Sequence, residues 1–258
     1  MSPAPSTTTA TRSVDVDGAA FRFFFSKGPA GSSGIPYVIV HGIGVSHRYS
    51  VPLHDTLAAE ADVYSVDLPG FGGLPKPSVD LTVEEMARRL GVALERIGVT
   101  TGVLIGHSMG TQWVVELALQ RPELAASVVI IGPVVDDRFR SVVAQSVALG
   151  RDTFGEPPLT NAVVFTDYLR AGPVWYTVQL RHMLAYRLEN RVGALGVPLL
   201  VMRGGKDPIA GVEWCRRVRD SARMGSLVAV PGHHHVVQYT APRAVASAIT
   251  SFVAAASL

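Results

Sequence analysis

The sequence has very little cysteine and no long apolar run. Cys215 is the single cysteine among 258 residues, so the chain cannot form an internal disulfide or a zinc site built from several thiolates. This composition is typical of a reducing compartment, and we expect a cytoplasmic protein. The longest apolar runs, such as residues 128–131, are only a few residues long. A membrane-spanning helix needs about 20 apolar residues, so we expect no membrane span.

Charged residues are also scarce, at 17% of the chain, and their sum is a net charge of only +2. So small an excess does not favour nucleic acid or an anionic membrane as a partner. Hydrophobic residues make up 48%, which is typical of a folded globular protein. Residues 1–12 lack the basic and apolar stretches of a secretory signal, and we expect them to form a disordered tail.

Strand and helix patterns alternate along most of the chain. Residues 14–25 contain two strand-like runs joined at Asp17-Gly18, which predicts an antiparallel hairpin. Short apolar runs typical of buried strands follow at 36–40, 62–66, 101–105, 126–131, 197–202 and 226–230. Helix-like stretches lie between many of them. The pattern therefore predicts an α/β fold with a mostly parallel, doubly wound sheet and an antiparallel amino-terminal hairpin.

The alternation is interrupted after the sixth strand. Residues 134–195 are too many for a loop between a strand and a helix, and they carry aromatic and aliphatic residues at helical spacing. We expect this segment to form a helical lid or cap. The core would then consist of residues 13–133 and 196–258.

The strongest local signal is the run Gly106-His107-Ser108-Met109-Gly110. It follows an apolar strand and precedes a helix-like stretch, which is the context that a nucleophile elbow requires. The turn is so tight that the neighbouring positions need hydrogen in place of a Cβ atom. The pattern predicts a serine hydroxyl exposed at the carboxyl edge of the sheet, over a helix amino terminus.

A serine nucleophile needs a general base that is oriented by a carboxylate. Asp207 follows strand 197–202, so its carboxylate should lie at the same sheet edge as Ser108, although it could also be a turn residue before Pro208. Asp136 and Asp137 follow strand 126–131 and are a second possible source of the acid.

Three consecutive histidines are candidates for the base. His233, His234 and His235 follow strand 226–230, and at most one of them can act in a triad. The residues alone leave this choice open.

Together these motifs resemble the α/β-hydrolase fold family, and in particular its lidded serine esterases and lipase-like hydrolases. The resemblance spans nearly the whole chain from Val14 onward. The segments that carry it, in the family's order, are His-Gly-Ile-Gly (41–44), Asp-Leu-Pro-Gly-Phe-Gly (67–72), Gly-His-Ser-Met-Gly (106–110), Arg-Gly-Gly-Lys-Asp-Pro (203–208) and Gly-His-His-His (232–235). One departure is Thr111, where many relatives have a second glycine.

The resemblance implies roles for particular residues. The family's histidine usually precedes a helix-starting proline by seven residues, and Pro242 then selects His235 as the base beside Ser108 and Asp207. The backbone N–H groups of Ile43 and Met109 would form the oxyanion hole. Further residues expected near the substrate are His41, Gly42, Gly44, His107, Trp175, Tyr176 and Met183, with His41 more a brace for its loop than a proton acceptor.

The implied activity is hydrolysis of a carboxylic ester or lactone of a small, largely apolar substrate, with no metal and no organic cofactor. A carbon–carbon bond hydrolase, a thioesterase or an amidase could use the same triad. A ligand receptor or a non-hydrolytic lyase or acyltransferase could also use this fold. We expect a small molecule as the partner, and a monomer or a homodimer.

Overall fold

The chain forms an eight-stranded sheet in a computed structural model that describes residues 9–30 and 34–256. The strands are β1 (Ala10–Val16), β2 (Ala19–Ser26), β3 (Tyr37–Val40), β4 (Val63–Asp67), β5 (Gly102–His107), β6 (Ala125–Ile131), β7 (Leu199–Gly204) and β8 (Gly225–Val230). Their spatial order is β1-β2-β4-β3-β5-β6-β7-β8. Strands β1, β2 and β4 pair antiparallel, and all later pairs are parallel. The predicted fold class is confirmed.

The amino-terminal hairpin turns at Asp17 and Gly18, which both have positive φ, at 53° and 76°. Two positive φ angles are the signature of the tight turn that matches the twist of paired strands. The first strand begins earlier than expected, because residues 10–12 pair with residues 23–25. The predicted disordered tail of residues 1–12 is therefore too long, because residues 10–12 belong to β1. Residues 1–8 lie outside the described ranges.

The helices pack on both faces of the sheet or lie in the segment between β6 and β7. They are α1 (Val51–Ala58), α2 (Val83–Arg96), α3 (Gly110–Gln120), α4 (Val142–Gly155), α5 (Pro158–Ala171), α6 (Pro173–Ala185), α7 (Leu188–Arg191), α8 (Val212–Ser221), α9 (Val237–Thr240) and α10 (Pro242–Ala256). Alternate residues of β5 serve different cores: Leu104 packs with the core that includes α2 and α3, whereas Val103 and Ile105 pack with the one that includes α1 and α10. Burial of both faces explains why the parallel strands read as continuous apolar runs.

Helices α4 to α7 occupy the segment between β6 and β7, which we call the cap segment (residues 134–195). Side chains join it to the core at several points. The buried Asp167 of α5 accepts from Ser46 Oγ at 2.5 Å and pairs with Arg48 at 3.0 Å. From the core, Gln112 Nε2 donates to the carbonyl of Met183 in α6. Within the described ranges, no helix is both long enough and apolar enough to cross a bilayer.

Candidate active site

Ser108 lies in the sharp turn between β5 and α3, with a positive φ of 56°. Its backbone N–H donates to the carbonyl of Ile131 at 2.9 Å, which ties the turn to β6. A Cβ atom at Gly106 would overlap the carbonyl oxygen of Gly110, and one at Gly110 would lie 2.5 Å from that of Val40. Both glycines are therefore required by close backbone approach, as the sequence pattern predicts.

Asp207 and His235 form a buried hydrogen-bonded pair. His235 Nδ1 lies 2.9 Å from Asp207 Oδ2, and the other carboxylate oxygen accepts from the amides of Ile209 and Ala210 at 2.8 and 2.9 Å. Burial alone would raise the pKa of Asp207, but the charge and hydrogen bond of His235 lower it. Burial would lower the pKa of His235, but Asp207 raises it. The carboxylate thus holds one ring nitrogen and leaves Nε2 as the acceptor.

A glycine after β6, for which no role was predicted, makes room for this pair. Gly132 follows β6 with φ of 59°, and a Cβ atom there would lie 2.8 Å from His235 Cε1 and 3.4 Å from Asp207 Oδ2. A side chain at this position would displace the imidazole. Its isolated place after a buried strand carried no distinctive signal.

The alternative acids, Asp136 and Asp137, lie in a different environment. Both bind Arg217 in α8, at 2.7 and 2.5 Å. It is Asp207 that the structure brings to His235.

The three consecutive histidines have three different contacts. His233 Nδ1 is 3.0 Å from Thr240 Oγ1 in α9. The ring of His234 lies against α4, where a Cβ atom at Gly155 would overlap it. His235 alone among the three is bonded to Asp207. His233 therefore contacts the core, His234 the cap segment and His235 the candidate acid Asp207.

The loop of residues 41–44 lies directly beside Ser108. A Cβ atom at Gly42 would lie 2.8 Å from Ser108 Cβ and 3.3 Å from its Oγ. Ile43 and Met109 are buried, and within residues 9–30 and 34–256 no hydrogen bond is formed by the N–H group of either. Buried amides without a protein partner are rare, and they can receive a ligand oxygen.

A polar chain joins the 41–44 loop, the Ser108 turn and the backbone of His235. The N–H of Gly42 donates to Tyr49 Oη at 2.7 Å, Tyr49 Oη lies 2.6 Å from His107 Nδ1, and His107 Nε2 lies 3.0 Å from the carbonyl of His235. Since a carbonyl only accepts, Nε2 carries the proton and Nδ1 accepts from Tyr49. Burial lowers the pKa of His107 to about 3, which keeps the ring neutral. No local sequence pattern indicated the role of Tyr49.

His41 braces its loop from behind. Its Nδ1 donates to the carbonyl of Gly42 at 2.7 Å, and its Nε2 accepts from the N–H of Leu68 at 3.0 Å. Burial lowers its pKa. With both ring nitrogens bonded to backbone, His41 holds the loop and does not face the cavity.

A cavity of about 120 Å³ lies over Ser108, between the sheet edge and the cap segment. Of the residues expected near the substrate, those that line it are Gly42, His107, Tyr176 and Met183. The other three do not. A Cβ atom at Gly44 would lie 2.5 Å from the ring of Tyr168, and Trp175 packs against Gly70, where a Cβ atom would overlap its indole nitrogen. Those expectations for His41, Gly44 and Trp175 are therefore corrected to packing roles.

Two acidic residues that line the cavity were not predicted. Asp152 and Glu156 of α4 line the cavity, and both are buried. They are four residues apart and so share one helix face. That spacing was visible in the sequence, but nothing local showed which surface the face meets.

Comparison with known proteins identifies the family of the chain. Residues 37–248 match the model of the alpha/beta hydrolase family. The chain therefore belongs to the alpha/beta hydrolase family.

Individual relatives are distant. The chain is 25% identical over 267 residues to the dihydrolipoyllysine-residue acetyltransferase component of an acetoin cleaving system from Pseudomonas putida, across 95% of this chain and 69% of that protein. It is 22% identical over 248 residues to an (E)-2-((N-methylformamido)methylene)succinate hydrolase from Acinetobacter baylyi, across 89% and 93%. A solved structure of an N-acyl homoserine lactone degrading enzyme has a TM-score of 0.80 at 18% identity, covering 93% of this chain and 100% of that one. That likeness concerns the fold.

Proposed function

We propose that the protein is a serine hydrolase that cleaves a carboxylic ester or a lactone of a small substrate through an acyl-enzyme intermediate. One observation carries the proposal: Ser108 and His235 line the same cavity, and His235 Nδ1 is held by Asp207 at 2.9 Å. A nucleophile, a base and an orienting acid are the parts that acyl transfer requires. Membership of the alpha/beta hydrolase family supports the same reaction class.

In the proposed reaction, Ser108 Oγ attacks the acyl carbon while its proton passes to His235 Nε2. The bond from the acyl carbon to the leaving oxygen then breaks, and His235 returns the proton to that oxygen. Water next attacks the acyl-enzyme and gives its proton to His235. Collapse of this second intermediate releases the acid and restores the serine hydroxyl. Asp207 stays ionised and stabilises the imidazolium form of His235.

The developing oxyanion would be received by the backbone N–H groups of Ile43 and Met109. Two observations support this assignment. Neither N–H group has an acceptor within the described residues, and Gly42 closely approaches Ser108. Such preorganised donors stabilise the transition state because they need no reorganisation as charge develops.

The cap segment would select the substrate. Leu149, Tyr176, Leu180 and Met183 of the cap line the cavity and contribute apolar surface to it. A cavity of about 120 Å³ favours a short acyl or alcohol group. The lactone-degrading enzyme with a similar fold is a reason to include lactones among the substrates.

The direct test measures hydrolysis of p-nitrophenyl esters of increasing acyl length and of small lactones, by the wild type and by Ser108→Ala. Intact mass after treatment with a fluorophosphonate reports modification of the serine. We expect turnover and a single label in the wild type, and loss of kcat on the order of 10⁶ with loss of the label in Ser108→Ala. The exposed Ser226 provides a control, and Ser226→Ala should behave as the wild type.

The results separate the alternatives. Labelling without turnover of any ester or lactone would support Ser108 as the nucleophile but contradict the proposed substrates. Thioesters, amides and carbon–carbon bond substrates would then be tested. A protein that is labelled but turns over none of these would be a receptor or a lyase. Absence of both labelling and turnover would contradict the proposed triad.

A further inference from the structure

Helix α4 holds the loop of the candidate base through two acidic side chains. Asp152 Oδ1 accepts from the backbone N–H of His235 at 3.0 Å, and Glu156 Oε1 accepts from that of Val236 at 2.8 Å. Both side chains belong to nearly fully buried residues, with 3% and 7% of their surface exposed. Two consecutive amides of the histidine loop are therefore satisfied by the cap segment and not by the core.

The helix lies in direct contact with the loop between these two bonds. Gly155 packs so closely on His234 that a Cβ atom would overlap the ring, and His234 Nδ1 lies 3.8 Å from Asp152 Oδ1. Moving α4 away would break both bonds and leave two buried amides without acceptors. An unpaired buried donor is costly, so the loop and the helix hold one another in place.

We propose that Asp152 and Glu156 are positioning residues for His235, which they hold in its working position through the backbone of the histidine loop. The proposal rests on the proposed function of the site. It assigns to the cap a part in assembling the acid–base pair, in addition to selecting the substrate. Neither acid touches the reacting atoms in this scheme. Asp152 acts through the backbone N–H of His235, and Glu156 through that of the next residue, Val236.

The two acids also act on His235 by charge. The titratable groups that face its ring and backbone are Asp207 after β7, Asp152 and Glu156 in α4, and His107 and His234 from the Ser108 turn and the loop itself. Burial lowers the pKa of His235, and the charges of Asp207, Asp152 and Glu156 raise it. Loss of one cap carboxylate should therefore lower that pKa, whereas loss of a buried acid that does not face His235 should leave it unchanged.

The hydrogen bond and the charge can be tested separately at position 152. Asp152→Asn keeps an oxygen that can accept from His235 N–H but has no charge, whereas Asp152→Ala removes both. We expect Asp152→Ala to lower kcat and the rate of fluorophosphonate labelling by roughly 100-fold, the usual effect of a small misplacement, with little change in KM. Asp152→Asn should recover most of kcat. In both variants the acid limb of kcat/KM should move to lower pH. Glu156→Ala and Glu156→Gln should show the same contrast.

Asp167 provides the matched control. It is a buried acid on α5 that also ties the cap to the core, through Ser46 and Arg48, but it does not touch the histidine loop. Asp167→Asn should lower the melting temperature and leave the acid limb where the wild type has it. The titration of the His235 ring, followed by NMR, gives the same comparison without any substrate.

The proposal is overturned if Asp167→Asn moves the acid limb as far as Asp152→Asn does. It is also overturned if Asp152→Asn leaves the His235 titration unchanged and Glu156→Gln does the same. If Asp152→Ala does not fold, Asp152→Asn and Glu156→Gln still test the proposal. A wild type that is neither labelled nor active would instead mark failure of the proposed function, and the NMR titration would still report whether the acids act on His235.

Discussion

The hydroxyl of Tyr49 lies 2.6 Å from Nδ1 of His107, and through it the 41–44 loop is bonded to the Ser108 turn. The same histidine donates to the carbonyl of His235 at 3.0 Å. Three loops that come from distant parts of the chain thus share one buried chain of hydrogen bonds. Their relative positions depend on two side chains that take no part in the proposed chemistry.

Removal of this hydroxyl is therefore informative. Tyr49→Phe leaves the N–H of Gly42 and Nδ1 of His107 without partners, and we expect a loss of about 1–3 kcal/mol in the free energy of unfolding. The displaced 41–44 loop should also lower kcat, by roughly tenfold to 100-fold. Urea unfolding and ester hydrolysis measure the two effects. The half-exposed Tyr64 is the control, and Tyr64→Phe should change neither quantity. Equal behaviour of the two variants would show that the hydrogen bonds have no role.

Asp207 and Asp136 allow a direct comparison of the two candidate acids. Asp207→Asn removes the charge that fixes the His235 tautomer, and we expect kcat to fall by about 10⁴-fold with little change in folding. Asp136→Asn removes the charge that pairs with Arg217, away from His235, and should leave kcat unchanged. The measurement is kcat for the best ester substrate. The reverse result would assign the acid to the end of β6.

A side chain at Gly132 would fill the space beside the pair of Asp207 and His235. In Gly132→Ala the new methyl group would lie 2.8 Å from His235 Cε1, at a φ of 59° that side chains rarely adopt. We expect kcat to fall by roughly 100-fold because the imidazole must move. Gly196→Ala is the control, since a Cβ atom there meets nothing within 4 Å. Unchanged kcat in Gly132→Ala would mean that the pair tolerates displacement.

The pH dependence follows from the pKa of His235, which is raised above its ordinary value of 6.5. The base acts only when Nε2 is unprotonated, so activity should be lost as the pH falls through this raised pKa. We expect the midpoint of the acid limb of kcat/KM above pH 6.5. His107 stays neutral through this range, because burial lowers its pKa to about 3. A midpoint below 6.5 would contradict the proposed pairing with Asp207.

The cavity should also discriminate by charge. Asp152 and Glu156 line it, and among the described lining residues none is lysine or arginine. We expect a choline ester to have a higher kcat/KM than the matching 3,3-dimethylbutyl ester, by about tenfold, or about 1.4 kcal/mol. A matching ester with a carboxylate should be the poorest of the three. The double variant Asp152→Asn, Glu156→Gln should reduce these differences. A preference for the carboxylate substrate would show that the acids are neutralised or turned away from the cavity.

Local sequence patterns determined much of this protein. The positive φ angles at Asp17 and Gly18 and the cap of α2, where Thr82 Oγ1 accepts from the N–H of Glu85, are set by residues at most three positions apart. The strand runs and the Ser108 turn are equally local. Periodicity reports which residues share a face, so the order of elements and the sheet edge that carries Ser108 could be predicted.

Apart from the pair of His235 and Asp207, which the family resemblance implied, only the tertiary structure decided the partners within the site. Tyr49 meets His107 across 58 residues, His235 meets Asp207 across 28, and Asp152 meets the N–H of His235 across 83. The residues alone left three histidines and two sources of the acid open, and they gave no indication of Tyr49, Asp152 or Gly132. Such contacts depend on how the cap and three loops pack over one sheet edge, and a pattern that repeats every two or 3.6 residues holds no information about that packing.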